Sequence, residues 1–115
     1  METIRIKPLT VNQCFQGRHY ITREFEAYRE ALAYLIPKPK AFPIGKLDVK
    51  YEFGVSAKSA DGDNLIKAFQ DCLAAKYGFN DRDIYHWDVT KVLVKKGEEY
   101  IKFSIKPNAW GKIEE

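Results

Sequence analysis

Two aspartates and one lysine in the middle of the chain, Asp61, Asp63 and Lys67, have the types and spacing that can do chemistry. In an extended segment, residues two positions apart project to the same side of the backbone, so we expect the two carboxylates to lie near each other. Neighbouring carboxylates repel unless a proton or a cation lies between them. The lysine follows one helical turn later, where it can contact a phosphate oxygen. This spacing indicates a cation site beside a group that binds phosphate.

A simpler interpretation of the same residues stays open. Asp63 can be the N-cap of the helix that follows, Lys67 can pair with it four residues on, and Asp61 can be an ordinary loop residue. Helix caps and paired surface charges are far commoner than active sites. The three residues alone do not decide between the two interpretations.

A strand and a helix are predicted to hold the acidic pair between them. Residues 46–56 alternate strictly between apolar and polar types, which predicts a half-buried strand. From Leu65 onward apolar residues recur at helical spacing, which predicts an amphipathic helix with Asp63 as its N-cap and its end near Gly78. Strand, acidic turn and helix therefore form one unit.

The chain before this unit is predicted to form an opening strand, a short second strand and one helix. Residues 3–7 alternate and predict an opening strand, and residues 9–20 predict a structured loop followed by a short strand at Tyr20 and Ile21. Thr22 is the predicted N-cap of a helix that runs to about Ile36. The proline-rich stretch 37–45 then excludes helix and central strand and predicts a stiff connector.

The chain after the unit is predicted to form a hairpin. Residues 84–95 are rich in β-branched and aromatic types, and the turn at Gly97 is expected to lead into a paired strand over residues 99–106. Trp87 is predicted to lie in the core. Asp81 precedes this hairpin, and it can return to the acidic pair only if the strand after it runs beside the strand before that pair.

Length and composition limit the class of protein. A chain of 115 residues suffices for a single domain, residues 1–115, and the order of predicted elements indicates an α+β fold with two helices packed on a mixed or antiparallel sheet. No apolar run approaches the roughly 18 residues that a membrane span needs, so we expect a cytoplasmic protein with no membrane partner. Cys14 and Cys72 lack the spacing of metal ligands and are expected to be reduced thiols. The net charge of +3 suits a polyanionic partner without requiring one.

Several of these segments together resemble a known family. They are an early loop, the acidic run at the start of the second helix, its continuation, and the polar turn before the last strands: residues 10–12 with Arg18, Tyr20 and Thr22; residues 61–68; residues 71–73; and residues 80–84. In these segments the chain resembles the RusA family of Holliday junction endonucleases, small homodimeric enzymes found often in prophage genomes. The pattern of Asp61, Asp63, Asn64 and Lys67 is the distinctive part.

The resemblance implies a Mg²⁺-dependent endonuclease that resolves four-way DNA junctions by paired nicks in DNA recombination and repair. It implies a homodimer, branched DNA as the partner, and no nucleotide cofactor. Asp61, Asp63 and Asp81 would bind Mg²⁺, and Lys67 would be the catalytic lysine. Further contacts to DNA would come from three other polar residues: Asn12, Arg18 and Lys58.

The chain departs from the family pattern in two places. Family members frequently have two adjacent aspartates where this chain has Asn80 and Asp81, so Asp83 is kept as an alternate for Asp81. Some members carry an arginine run before the acidic pair, of which only Lys58 remains here. Two other functions stay open: a non-catalytic phage protein that binds branched DNA, and a nuclease that prefers flaps or forks.

Overall fold

The protein is described by a computed structural model, in which the side chains of residues 15, 16, 20 and 62–64 are left undescribed. The residues that the structure describes are 1–10, 15–16, 20–38, 45–57 and 62–108.

Within those residues the chain forms two α-helices, six strands and one 3₁₀ turn. In chain order they are β1 (Glu2–Ile4), β2 (Phe15–Gln16), β3 (Tyr20–Ile21), α1 (Arg23–Leu35), β4 (Leu47–Val55), α2 (Gly62–Tyr77), the 3₁₀ turn (Asp81–Asp83), β5 (Ile84–Leu93) and β6 (Tyr100–Pro107). The predicted α+β fold, with two helices packed on a mixed sheet, is confirmed. Neither of these two helices is long and apolar enough to cross a membrane.

β4 is the strand around which the main sheet is built. The strand order is β1-β6-β4-β5, and a separate ribbon joins β2 to β3. β4 pairs in parallel with β5, from Leu47 opposite Ile84 to Val55 opposite Leu93. On its other side β4 pairs antiparallel with β6, which in turn pairs antiparallel with β1.

The predicted hairpin between the last two strands is wrong, because β5 and β6 flank β4 on opposite sides. The turn between them does form: Gly97 has a φ of 97°, and the N–H of Glu98 donates to the carbonyl of Lys95 at 2.9 Å. The N–H of Val94 donates to the carbonyl of Val55 at 2.8 Å, which holds the end of β5 against the end of β4. The chain then crosses the end of β4 and returns as β6 along the side of β4 that faces away from β5.

The two helices cover one face of the sheet, and the core lies between them. β4 alternates as predicted, with Tyr51 and Phe53 completely buried on the covered face and Lys50 exposed on the other. The ring of Phe69 on α2 meets the ring of Tyr51 edge-on, with centroids 5.4 Å apart. The helices contribute buried residues at spacings of three and four: Phe25, Tyr28 and Leu32 from α1, and Leu65, Phe69 and Leu73 from α2.

The ends of α1 are held by side chains. Thr22 is its N-cap, as predicted, and its hydroxyl oxygen accepts a backbone N–H of the first turn at 3.2 Å. At the other end, Nζ of Lys76 donates to the carbonyl of Ala33, and the hydroxyl of Tyr77 donates to the carbonyl of Pro37, both at 2.6 Å. Carbonyls at a helix end have no partner inside the helix, so these bonds tie the end of α1 to the last turn of α2.

α2 begins one turn earlier than the apolar pattern starts, at Gly62, so the prediction of Asp63 as N-cap is wrong. Asp63 lies inside the first turn, and the cap position falls at residue 61, outside the described residues. The helix ends at Tyr77, and Gly78 follows with a φ of 78°, as the predicted end requires.

Candidate active site

The 3₁₀ turn after α2 holds its two aspartates differently. Asn80 caps the turn: its side-chain oxygen accepts the N–H of Arg82 at 3.1 Å, and Oδ2 of Asp83 accepts the N–H of Asn80 at 3.2 Å. Asp83 therefore stabilises its own turn. Asp81 directs its carboxylate toward α2 instead, so of the two alternates it is Asp81 that lies beside Lys67.

Lys67 lies between two carboxylates. Its Nζ is 3.2 Å from Oδ1 of Asp71, one turn further along α2, and 3.9 Å from Oδ2 of Asp81. The side chain of Lys67 is 62% exposed and those of the two aspartates are each 45% exposed. Ion pairs this exposed contribute at most about 1 kcal/mol to stability. The cluster is therefore accessible to a solute, and the fold does not depend on its charges.

The carboxylate of Asp81 is also bound from the interior, by Gln70. The side chain of Gln70 is buried, at 6% exposure, and its Nε2 donates to Oδ1 of Asp81 at 3.2 Å. Its Oε1 accepts two hydrogen bonds, from the hydroxyl of Tyr51 at 2.9 Å and from Nε1 of Trp87 at 3.0 Å. The prediction of Trp87 as a core residue is wrong, since it is 44% exposed on the edge strand, but its indole N–H reaches inward to this amide.

Tyr51 supplies a fixed donor to this group. Burial raises the pKa of its phenol, and the nearby negative charge of Asp81 raises it further. The phenol therefore keeps its proton throughout the neutral range and donates it to Gln70.

Sequence reasoning missed both Gln70 and Asp71 as members of the site. A signal for Gln70 was present: it follows Ile66 by four positions and precedes Leu73 by three, so it belongs to the apolar stripe of α2. A polar residue in such a stripe must find hydrogen-bond partners in the core. Asp71 is four positions after Lys67, the spacing at which opposite charges pair on a helix.

The other predicted site residues are described in part or not at all. Asp63 is described only as backbone, in the first turn of α2. Within the described part of the chain there is no group of three or more His, Cys, Asp or Glu residues that could hold a metal ion. Asp81 is thus the one predicted Mg²⁺ ligand whose side chain is described. Four residues lie outside the described ranges, and their roles stay predictions: Asn12, Arg18, Lys58 and Asp61.

The predicted condition for the return of Asp81 to the acidic pair is met in one respect. β5 runs beside β4, and the two strands are parallel, with the first residue of β5 opposite the first residue of β4. The turn that carries Asp81 precedes β5, so it lies near the beginning of β4 rather than at its end. Asp81 reaches α2 at Lys67 and Gln70. Asp63 precedes Lys67 by four residues, or about 6 Å of helix at 1.5 Å per residue. Lys67 therefore contacts the carboxylates of Asp71 and Asp81 and lies about one helical turn after Asp63.

The carboxylate of Asp81 is of the type that Mg²⁺ binds. This ion prefers oxygen ligands and in proteins is usually held by one or two carboxylates, with water and phosphate filling the remaining positions. Oδ2 of Asp81 is a carboxylate oxygen on a side chain that is 45% exposed, so a hydrated cation can reach it.

No protein-family model matches the chain, and no curated protein matches it either. The resemblance to the RusA family therefore stays a prediction.

Proposed function

We propose that this protein is a cytoplasmic, Mg²⁺-dependent endonuclease of the RusA family that resolves four-way DNA junctions. The observation that supports it most is the contact between Asp81 and Lys67. The resemblance places these two residues in one site, although they are far apart in sequence and on different elements. The pairing of Lys67 with Asp71 follows from helix geometry alone, whereas the contact with Asp81 requires the chain to fold back along α2.

The roles of the residues follow from their chemistry. Asp61, Asp63 and Asp81 would hold Mg²⁺, which when bound supplies polarisation of a phosphoryl oxygen and activation of water. The ammonium of Lys67 donates hydrogen bonds to an oxygen of the scissile phosphate and stabilises the negative charge that develops there. Its exposure leaves it free to approach the DNA backbone.

Binding to DNA would rest on phosphates and on the shape of the junction. Asn12, Arg18 and Lys58 contact the backbone, so affinity should fall steeply as salt rises. A four-way junction is nearly two-fold symmetric, and a two-fold homodimer supplies two equivalent sites for paired nicks. Light scattering that finds only a 13.3 kDa species, with and without junction, would contradict the homodimer.

The proposal is tested by incubating the purified protein with a synthetic mobile four-way junction, with and without Mg²⁺. We expect paired nicks in opposed strands only when Mg²⁺ is present, and no cutting of a linear duplex of the same sequence. Lys67→Ala should abolish cutting. Lys50→Ala is the matched control, because it also removes one positive charge but lies exposed on the sheet face opposite the helices.

The other outcomes identify the alternatives. Tight binding of the junction without cutting in Mg²⁺ would indicate a non-catalytic branched-DNA-binding protein. Faster cutting of flaps or forks than of the four-way junction would indicate a nuclease of different preference. Equal loss of cutting in Lys50→Ala and Lys67→Ala would show that Lys67 has no specific role in cutting.

A further inference from the structure

We propose that Gln70 is a positioning residue that binds Oδ1 of Asp81 and thereby orients this carboxylate, with Oδ2 on the side of Lys67, for binding the divalent cation. This inference rests on the proposed function, because it concerns the same Mg²⁺ site. It adds a residue to which the family resemblance gives no role.

The amide of Gln70 has one possible orientation. Its Oε1 accepts from the hydroxyl of Tyr51 and from Nε1 of Trp87. An indole N–H can only donate, so a flipped amide would place its own N–H₂ group against the indole of Trp87, lose that bond and turn its oxygen toward the carboxylate of Asp81. With Oε1 held on the core side, Nε2 must face Asp81.

The two donors that hold the amide are themselves fixed by the sheet. Tyr51 is at the centre of β4, completely buried and packed edge-on against Phe69. Trp87 lies on β5, where its backbone pairs with Val49 of β4. The side chain of Gln70 on α2 therefore links the turn that carries Asp81 to both parallel strands, β4 and β5, by hydrogen bonds.

The two oxygens of Asp81 are consequently not equivalent. Oδ1 accepts the neutral N–H of Gln70 at 3.2 Å from the interior, and Oδ2 lies on the side of Lys67. A neutral donor leaves the negative charge of the carboxylate intact, so Asp81 keeps its attraction for a cation while losing its freedom to rotate. Hydrogen-bond partners of ligating carboxylates characteristically change metal affinity by roughly 10–100-fold when they are removed.

The test measures Mg²⁺ binding without DNA, by calorimetry on the folded protein. Gln70→Met keeps the length of the side chain but removes the donor to Asp81. We expect its dissociation constant for Mg²⁺ to rise roughly 10–100-fold, with a matching rise in the Mg²⁺ concentration needed for half-maximal cutting. Because this variant also leaves two donors unpaired, Ile101→Val is the control for lost stability. Ile101 is buried on β6, on the far side of β4 from β5, and its substitution should leave Mg²⁺ affinity unchanged.

A second measurement is made on the wild-type protein, so its main result does not depend on the folding of any variant. The side-chain amide resonance of Gln70 in an NMR spectrum should shift on Mg²⁺ titration with the same midpoint as calorimetry, and Asp81→Asn should abolish that shift. Two results would overturn the positioning role and leave the proposed function intact. One is that wild-type protein binds Mg²⁺ while the Gln70 resonance does not move; the other is that Gln70→Met binds Mg²⁺ as tightly as wild type does. If the wild-type protein binds no Mg²⁺, the positioning role and the proposed function are both overturned.

Discussion

Oδ2 of Asp81 lies 3.9 Å from Nζ of Lys67, and this contact joins the turn before β5 to the first half of α2. Neither residue's own element requires it. Lys67 already has a helical partner in Asp71, and the turn is already capped by Asn80 and Asp83. The contact is therefore a product of the tertiary structure, and each prediction about the site depends on it or on the residues next to it.

Asp63→Asn should separate cutting from folding. Loss of a carboxylate in the first turn of a helix costs at most about 1 kcal/mol, yet it removes one negative charge from the proposed Mg²⁺ site. Junction cutting should collapse, while junction binding should persist or tighten, because one charge that repels phosphates is gone. Gel-shift and cleavage assays on the same preparation measure both. Folded Asp63→Asn protein that cuts at the wild-type rate would leave the nuclease assignment without its central residue.

Asp81→Asn and Asp83→Asn form a matched pair, because each removes one negative charge from the same turn. Asp81→Asn should lower cutting by at least the roughly 10–100-fold typical of residues around a metal. Asp83→Asn should cut normally, since its side-chain oxygen can still accept the N–H of Asn80. Cleavage rates at saturating Mg²⁺ measure both variants. The reverse order of effects would make Asp83 the ligand.

The carboxyl of Glu99 should titrate below its ordinary range. Its pKa is lowered by a hydrogen bond from its own backbone N–H, by the hydroxyl of Ser56 at 2.8 Å, and by the N–H of Gly97 at 2.7 Å. A lowered folded pKa contributes stability that is present above the unfolded pKa of about 4.3 and is lost as pH falls through the folded pKa. Ser56→Ala should raise the pKa of Glu99 and flatten the acid side of the stability curve. NMR titration of the Glu99 carboxyl measures this shift; Ser104→Ala should not move it, and an unmoved pKa in Ser56→Ala would contradict the prediction.

Gly54→Ala should destabilise the sheet. Gly54 on β4 is paired with Tyr100 on β6, and the tyrosine ring occupies the space where a Cβ at position 54 would be. The ring is held there by a hydrogen bond from its hydroxyl to Oε2 of Glu52 at 2.7 Å. We expect a loss of about 1–3 kcal/mol in the free energy of unfolding, as for overpacking, measured by urea denaturation. In a Tyr100→Ala background the same substitution should cost far less, and an equal cost in both backgrounds would show that the ring is not the cause.

Local sequence pattern was enough to predict several elements of the fold. The alternation over residues 46–56 predicted β4 to within one residue at each end, and Thr22 predicted the start of α1. Gly78 predicted the end of α2, and the apolar residues at helical spacing include three that are buried: Leu65, Phe69 and Leu73. These predictions hold because alternation and helical period are read along a single segment and are independent of what the segment packs against.

Which segments become neighbours depends on how the whole chain folds. The turn at Gly97 is compatible with a hairpin or with a crossing over the end of β4. The complete sheet selects the crossing, because β4 pairs with β5 on one side and with β6 on the other. The same holds for the site. Lys67, Gln70 and Asp81 each have an ordinary local role as a surface charge, a helical residue and a turn residue, and they meet because the parallel pairing of β4 with β5 brings the 3₁₀ turn back along α2. A contact of this kind depends on pairing between distant segments, which a local pattern does not encode.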